Sequence, residues 1–169
     1  HLYDYGCGQG LATLLLLENT SGLQEDITQI TLIEPSEIAL TRAQSLVECK
    51  LPHTHVQTGI EKLDAVEETD LNIDTNKMNV HIFSNILDID GFDQFDLFNK
   101  ILANGGTHYF IAVSNDRNCY GGTSRLKSIF DALIGLKAEG NETLLVSHAH
   151  FERFTDQKHM NQGYFVLNI

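Results

Sequence analysis

The chain has 169 residues, about one domain's worth, with 42% hydrophobic and 20% charged residues. That balance is globular and argues against disorder; a domain this long buries roughly 70% of its unfolded surface without a disulfide or metal staple. Lys and Arg number 11 against 23 Asp and Glu, a net charge of −12, which opposes direct nucleic-acid binding by this domain because phosphate attraction dominates such affinity.

The chain opens at His1-Leu2-Tyr3-Asp4, already inside an apolar, strand-like run, with no initiator Met or leader. Termini usually lie at the surface, so we expect one domain over 1–169, excised from a longer protein. Leu2–Tyr5 reads as a strand, followed by a glycine turn and a helix over Leu11–Glu18. The apolar run Leu14–Leu17 is far short of the ~20 residues of a membrane span, so no membrane partner is expected. A loop is expected at Asn19–Asp26. Ile27–Ile33 reads as a strand ending in Glu34-Pro35-Ser36, where Ser36 can cap a helix carrying Ile38, Ala39, Ala43, Leu46 and Val47.

His53–Thr58 is a weaker third strand, and 60–71 is acidic and ambiguous between helix and loop. The loop 72–77 leads into a strand at Val80–Phe83. Phe92, Phe95, Phe98, Ile101 and Leu102 recur at steps of three and four and mark a helix face, stopped by Asn104-Gly105-Gly106. Tyr109–Val113 is a fifth strand, and Ser124–Leu136 is a helix with Leu126, Ile129, Phe130, Leu133 and Ile134 on one side. Thr143–His150 and Tyr164–Ile169 are terminal strands too close for a helical crossover, most simply an antiparallel pair. The fold class is therefore α/β: a doubly wound, mostly parallel seven-stranded sheet with helices on both faces and an antiparallel last strand. Ligands of such sheets sit beyond the carboxyl ends of the strands.

At those ends the strongest signal is Asp4-Tyr5-Gly6-Cys7-Gly8-Gln9-Gly10. Alternate glycines permit positive φ values and close approach of backbone to a ligand, although a glycine turn without a ligand would read the same way. Leu11 stands where G-x-G-x-x-G needs its third glycine, and no G-K-[ST] follows, so neither a dinucleotide fingerprint nor a P-loop is present. Glu34 ends the second strand, where a carboxylate can accept ribose hydroxyls; it could equally be a solvated acid at a helix start.

These segments resemble a known family. Leu2-Tyr3-Asp4-Tyr5-Gly6-Cys7-Gly8-Gln9-Gly10 is similar to motif I of the class I, Rossmann-like S-adenosylmethionine-dependent methyltransferases. Leu32-Ile33-Glu34-Pro35-Ser36 resembles the family's second-strand motif, and Phe83-Ser84-Asn85-Ile86-Leu87-Asp88 its fourth-strand motif. The resemblance spans nearly the whole chain. It implies that Asp4 and the backbone of Gly6, Cys7, Gly8 and Gly10 hold the methionine end of S-adenosylmethionine. Glu34, with Pro35 beside it, holds the ribose. Gly59, Ile60 and Glu61 flank the adenine, and Ser84 and Asn85 face the methyl group and its acceptor. Where many relatives carry an adenine-binding Asp this chain has Gly59, with Glu61 the candidate substitute. No D/N-P-P-Y motif indicates amino methylation of DNA bases. Cys7 fills the variable slot of the glycine loop and is not read as a nucleophile.

Methyl transfer needs alignment and, for some acceptors, a base. Asn85, Asp88 and Asp116 are the candidate catalytic residues, with Asp90 a further acid in the same region; Asp in a polar loop or helix start also has this pattern. The polar segment 114–122 is either an acceptor pocket or a plain loop. His148 and His150 share a strand face, but no third ligand is apparent and no metal is expected. The odd, scattered cysteines Cys7, Cys49 and Cys119 fit a reducing, cytoplasmic compartment. The leading expectation is a methyltransferase acting on an undetermined acceptor, with a small molecule favoured by the acidic charge. The other reading is a non-catalytic scaffold or interaction module of the same fold. A nicotinamide enzyme is disfavoured by Leu11.

Overall fold

A computed structural model describes residues 1–87, 89, 91–115, 125–139, 145–154 and 160–168. Five strands run parallel in the order β3-β2-β1-β4-β5: β1 (Leu2–Tyr5), β2 (Gln29–Ile33), β3 (His55–Gly59), β4 (Met78–Ser84) and β5 (Thr107–Asn115). Beyond β5 the sheet continues through β7 (Met160–Asn168) to β6 (Leu145–Phe154), with β7 antiparallel to both neighbours. The helices are α1 (Leu11–Asn19), α2 (Leu23–Asp26), α3 (Glu37–Lys50), α4 (Glu68–Leu71), α5 (Gln94–Leu102) and α6 (Arg125–Glu139).

Side-chain alternation along the strands builds two cores. Leu2, Ile30, Leu32 and Ile82 face α1 and α3, meeting Leu17, Leu40, Ala43 and Val47. Tyr3, Tyr5, Ile33, Phe83 and Phe110 face the other way, against Leu71, Leu97, Phe98, Ile101, Leu126, Ile129 and Leu133. No described helix is long and apolar enough to cross a membrane.

Local chemistry sets the helix starts. Ser36 accepts the amide of Ala39 at 3.4 Å and opens α3 as its sequence suggests. Asp93 accepts the amides of Phe95 and Asp96, at 2.8 and 3.4 Å, and starts α5 at Gln94. The cap shifts the expected aromatic stripe. Leu97, Phe98 and Ile101 are buried, Phe95 is exposed, and Phe92 precedes the helix altogether. The expected loop at 19–26 contains the short helix α2, and only the end of the ambiguous stretch 60–71 is helical.

The core on the α5 side holds a polar chain with no local signature in the sequence. Tyr5, His81 and His108 come from adjacent strands β1, β4 and β5 and are buried. The Tyr5 hydroxyl lies 3.0 Å from His81 Nδ1, His81 Nε2 lies 3.0 Å from His108 Nδ1, and His108 Nε2 lies 2.8 Å from the Gly105 carbonyl. A carbonyl only accepts, so His108 Nε2 carries a proton and its Nδ1 accepts from His81. His81 Nδ1 is then an acceptor, and Tyr5 donates to it. Every link points the same way. Burial lowers both imidazole pKa values below the ordinary histidine value, keeping the rings neutral, and the neighbouring imidazole lowers that of His81 further. Stacking on Tyr3 and Phe110, at centroid distances of 5.0 and 4.8 Å from His81, completes the packing.

A group with a depressed folded-state pKa gives stability that is full above its unfolded value, about 6.5 for histidine, and lost as pH falls below it. Urea unfolding at pH about 7.5 and 5.5 therefore separates the native chain from His81→Gln/His108→Gln. The native protein is expected to lose more stability than the double variant over that interval, at most about 1.4 kcal/mol per imidazole for each pH unit below 6.5. Equal losses would refute the neutral-pair assignment.

Candidate functional site

The sheet's strand order reverses at β1, between β2 and β4. Three turns leave the carboxyl ends there. The first is the glycine loop, with Gly6, Gly8 and Gly10 at φ +62°, +54° and +78°. These are left-handed values that a Cβ disfavours. A Cβ on Gly6 would sit 2.7 Å from Ile86 Cγ2, and one on Gly10 would sit 3.1 Å from Ala43 Cβ, whereas one on Gly8 would meet nothing within 4 Å. The first and third glycines thus let the loop press on the β4 turn and on α3, while Gly8 leaves the backbone bare toward open space.

The loop is held from below and from the side. Cys7 N–H donates to the Ile33 carbonyl at 3.1 Å, and Gly10 N–H to the Cys7 carbonyl at 2.8 Å. Glu34 leaves β2 and turns toward the loop. Its Oε2 accepts the Gly8 amide at 3.0 Å and its Oε1 the Ser36 amide at 3.0 Å. A carboxylate offers about four lone-pair sites, so each oxygen keeps one free.

A cavity of about 430 Å³ opens beside this carboxylate, lined by Gly6, Glu34, Pro35, Lys62, Leu63, Asp64, Ile86, Ile89, Gly91 and Phe92. Its size falls within the range of small-molecule sites. Gly6, Glu34 and Pro35 are residues singled out from the sequence. Lys62, Leu63, Asp64, Ile89 and Gly91 carry no periodic signature, while Ile86 stood in the fourth-strand motif without a role of its own and Phe92 was expected on a helix face. The residues of the expected adenine flank border a second cavity. Gly59 and Glu61 line a separate cavity of about 150 Å³ with Thr31, Ile33, Gln57, Thr58 and Asp70, and Ile60 is exposed. Ser84, half-buried, ends β4. Asn85 is exposed at φ +59°, and its amide donates to the Val113 carbonyl at 2.7 Å. Asn tolerates the left-handed region better than other side chains. Asp88, Asp90, Asp116 and most of the polar segment 114–122 lie outside the described residues.

Asp4 sits beneath the loop, fully buried, on the α1 face of the sheet. Its Oδ2 accepts the Thr13 hydroxyl at 2.7 Å, while Oδ1 has no partner among the described residues. Burial raises its pKa from 3.8 to about 6, opposed by hydrogen bonds from Thr13 and reinforced by the Glu34 charge. Thr13 lies in the first turn of α1, so the acid faces the positive end of that helix. Burial also pushes the Cys7 thiol well above its ordinary value, with Asp4 and Glu34 adding to the effect, so Cys7 is no thiolate nucleophile. Among the described residues no cluster of His, Cys, Asp and Glu could hold a metal ion. His150 instead lies 3.7 Å from Glu152 on the exposed face of β6.

No family model and no curated protein matches this sequence. Solved structures do. An rRNA methylase from Streptococcus thermophilus aligns over 99% of this chain and 86% of its own, at 15% identity and TM-score 0.55. TrmK of M. capricolum, solved with S-adenosyl-homocysteine, aligns over 99% of this chain but 61% of its own, at 13% identity and TM-score 0.52. Magnesium protoporphyrin IX methyltransferase from Synechocystis PCC 6803, also with bound S-adenosyl-homocysteine, aligns over 99% and 72%, at 10% identity and TM-score 0.55. The chain therefore has the fold of the class I methyltransferases, and spans less than two thirds of the second of these proteins.

Two substitutions test the loop and its support. Gly6→Ala combines strain at positive φ with the Ile86 clash, whereas Gly8→Ala carries the strain alone. Gly8→Ala is expected to cost about 1–2 kcal/mol and Gly6→Ala measurably more, read as melting shifts. The raised pKa of Asp4 means that its stabilising contribution is present below about 4 and lost as pH rises through about 6, a swing of about 3 kcal/mol. Asp4→Asn is expected to abolish that rise in stability toward acid; an unchanged pH profile would contradict the assignment.

Proposed function

We propose that this chain, having the fold of the class I methyltransferases, binds S-adenosylmethionine in the cavity at the β1, β2 and β4 ends and transfers its methyl group to an acceptor. The observation that carries the proposal is the Glu34 carboxylate, which lines the cavity while holding the Gly8 amide at 3.0 Å. The residues present suit the ligand. Glu34 retains lone pairs for a ribose diol. Leu63, Ile86, Ile89 and Phe92 supply apolar area for a flat base. Among the described residues the cavity's charged side chains are Glu34, Asp64 and Lys62, two carboxylates to one cation. Such a lining favours a sulfonium nucleoside over a pyrophosphate-bearing dinucleotide.

The bound sulfonium supplies the methyl group; the protein's task is alignment and desolvation, and proximity alone can contribute ~7–11 kcal/mol. Asp4 and the backbone of Gly6, Cys7, Gly8 and Gly10 shape the end of the cradle nearest the methionine moiety. Pro35 borders the nucleoside, with Gly59, Ile60 and Glu61 behind it at the β3 end. Ser84 and Asn85 leave β4 toward the acceptor side, and Asn85, Asp88 and Asp116 are our candidates for positioning or deprotonating the acceptor. We read the antiparallel β7, inserted between β5 and β6, as the reversed strand of this architecture. The acidic balance of the chain favours a small-molecule acceptor over RNA, and its scattered cysteines favour a cytoplasmic setting.

A second reading, a non-catalytic module of the same fold, draws on the β3 end, where Glu61 lines a different cavity from Glu34. Calorimetric titration with S-adenosylmethionine, S-adenosylhomocysteine and NAD distinguishes the two. Micromolar binding of the sulfur nucleotides without NAD binding is expected. No binding at millimolar ligand would leave the scaffold. Glu34→Ala is expected to weaken cofactor binding about tenfold or more, because charge-assisted hydrogen bonds contribute about 1.5–3 kcal/mol. Undiminished affinity in a folded Glu34→Ala protein would show that the ribose lies elsewhere.

A further inference from the structure

Two walls of the cavity beside Glu34 are turns rather than helices or strands. One carries Lys62, Leu63 and Asp64; the other carries Ile86, Ile89, Gly91 and Phe92. Their own backbone bonds include Ala65 N–H to the Lys62 carbonyl at 3.0 Å and Ile89 N–H to the Ile86 carbonyl at 3.1 Å. Each wall is rooted in the core by a fully buried residue, Val66 in one and Leu87 in the other. Outside regular structure, carbonyls next to such roots must find donors elsewhere.

The donors are cations on neighbouring helices. Lys100 Nζ, on α5, donates to the Val66 carbonyl at 3.0 Å and pairs with Asp96 at 3.1 Å and Glu67 at 3.5 Å. Arg125 Nη1, at the start of α6, donates to the Ile89 carbonyl at 2.6 Å and the Leu87 carbonyl at 3.4 Å. Both helices are fixed posts: α5 buries Leu97, Phe98 and Ile101, and α6 buries Leu126, Ile129 and Leu133. Lys and Arg total 11 in the whole chain, so two cations spent on backbone carbonyls of one cavity are a substantial fraction.

We propose that Lys100 and Arg125 are positioning residues that hold the two irregular walls of the cavity in a binding-ready form. Neither lines the cavity, so neither needs to touch a ligand. A wall that is loose in the free protein must be ordered on binding, and that ordering entropy is subtracted from affinity. One guanidinium nitrogen, Nη1, bridges both carbonyls, and the shorter reach of a lysine ammonium replaces that bridge only in part. The ligand's identity rests on the methyltransferase reading; the holding of the walls does not.

The test combines calorimetry with S-adenosylhomocysteine and hydrogen–deuterium exchange of the ligand-free protein. Arg125→Gln and Lys100→Met are each expected to weaken binding about tenfold, the loss of one charge-assisted hydrogen bond. Exchange should quicken at Ile86, Leu87, Ile89, Gly91 and Phe92 for Arg125→Gln and in 62–66 for Lys100→Met, with β1, β2 and β4 unaltered. Lys127→Ala removes another α6 cation, which pairs with Asp131, and is expected to behave as the native protein in both assays. Native affinity together with native wall exchange in Arg125→Gln overturns the proposal, as does exchange that quickens equally throughout the sheet. If Arg125→Gln does not fold, Arg125→Lys is read instead, with intermediate affinity and exchange expected and native values in both overturning the proposal. If the native chain takes up no S-adenosylhomocysteine, the methyltransferase reading fails, and the wall-specific exchange alone decides whether the cations hold the walls.

Discussion

The Glu34 carboxylate accepts two backbone amides, those of Gly8 and Ser36, at 3.0 Å each. Through those bonds the end of β2 is tied both to the glycine loop after β1 and to the first turn of α3. The rest of the site depends on this tie. It sets how far the loop stands from β2, and the cavity occupies the space left beside it. The same acid also raises the cost of ionising Asp4 underneath, so the charge that shapes the cradle is felt by its foundation. Two carboxylates close to one loop are tolerable because their settings differ. One faces the cavity and accepts amides; the other is buried against Thr13 with its proton held to about pH 6.

The rigid and irregular parts of the site divide the work. Strand ends and the glycine loop fix where a nucleoside would lie. The apolar area that would cover a base comes from turn residues, Leu63, Ile86, Ile89 and Phe92. Turns of this kind have few internal hydrogen bonds and little buried surface of their own. They are tied to Val66 and Leu87, buried in the core on the α5 side, and to Lys100 and Arg125, which α5 and α6 carry. The opposite face, under α1 and α3, carries Cys7 of the glycine loop and the buried Asp4.

How much of this was legible in the chain depends on the range of the cause. The succession of strands and helices and the two-faced core follow from alternating local patterns, and the glycine loop from φ requirements local to three residues. The Ser36 cap is equally local. The start of α5 was misread because the Asp93 cap competes with an aromatic periodicity and prevails, leaving Phe92 free to line the cavity. The adenine flank was placed by position along β3, but Glu61 and Glu34 border different hollows, and which hollow a turn residue meets is decided by tertiary packing. Lys62 and Asp64 left no signal because turn residues follow no period, and the two wall-holding cations left none because their partners lie far along the chain. Tyr5, His81 and His108 were silent for the same reason: each is an ordinary strand residue until three strands come together.

The chain of hydrogen bonds from Tyr5 through His81 and His108 to Gly105 also bears on how β1, β4 and β5 come to be aligned at all. Apolar strands pressed together tolerate sliding, since one branched side chain replaces another at small cost. A slide of β4 by one residue would carry His81 to the opposite face and leave a phenolic hydroxyl and an imidazole stranded in an aromatic core. Misaligned intermediates are thus penalised during assembly by groups that add little net stability once the sheet is correctly formed.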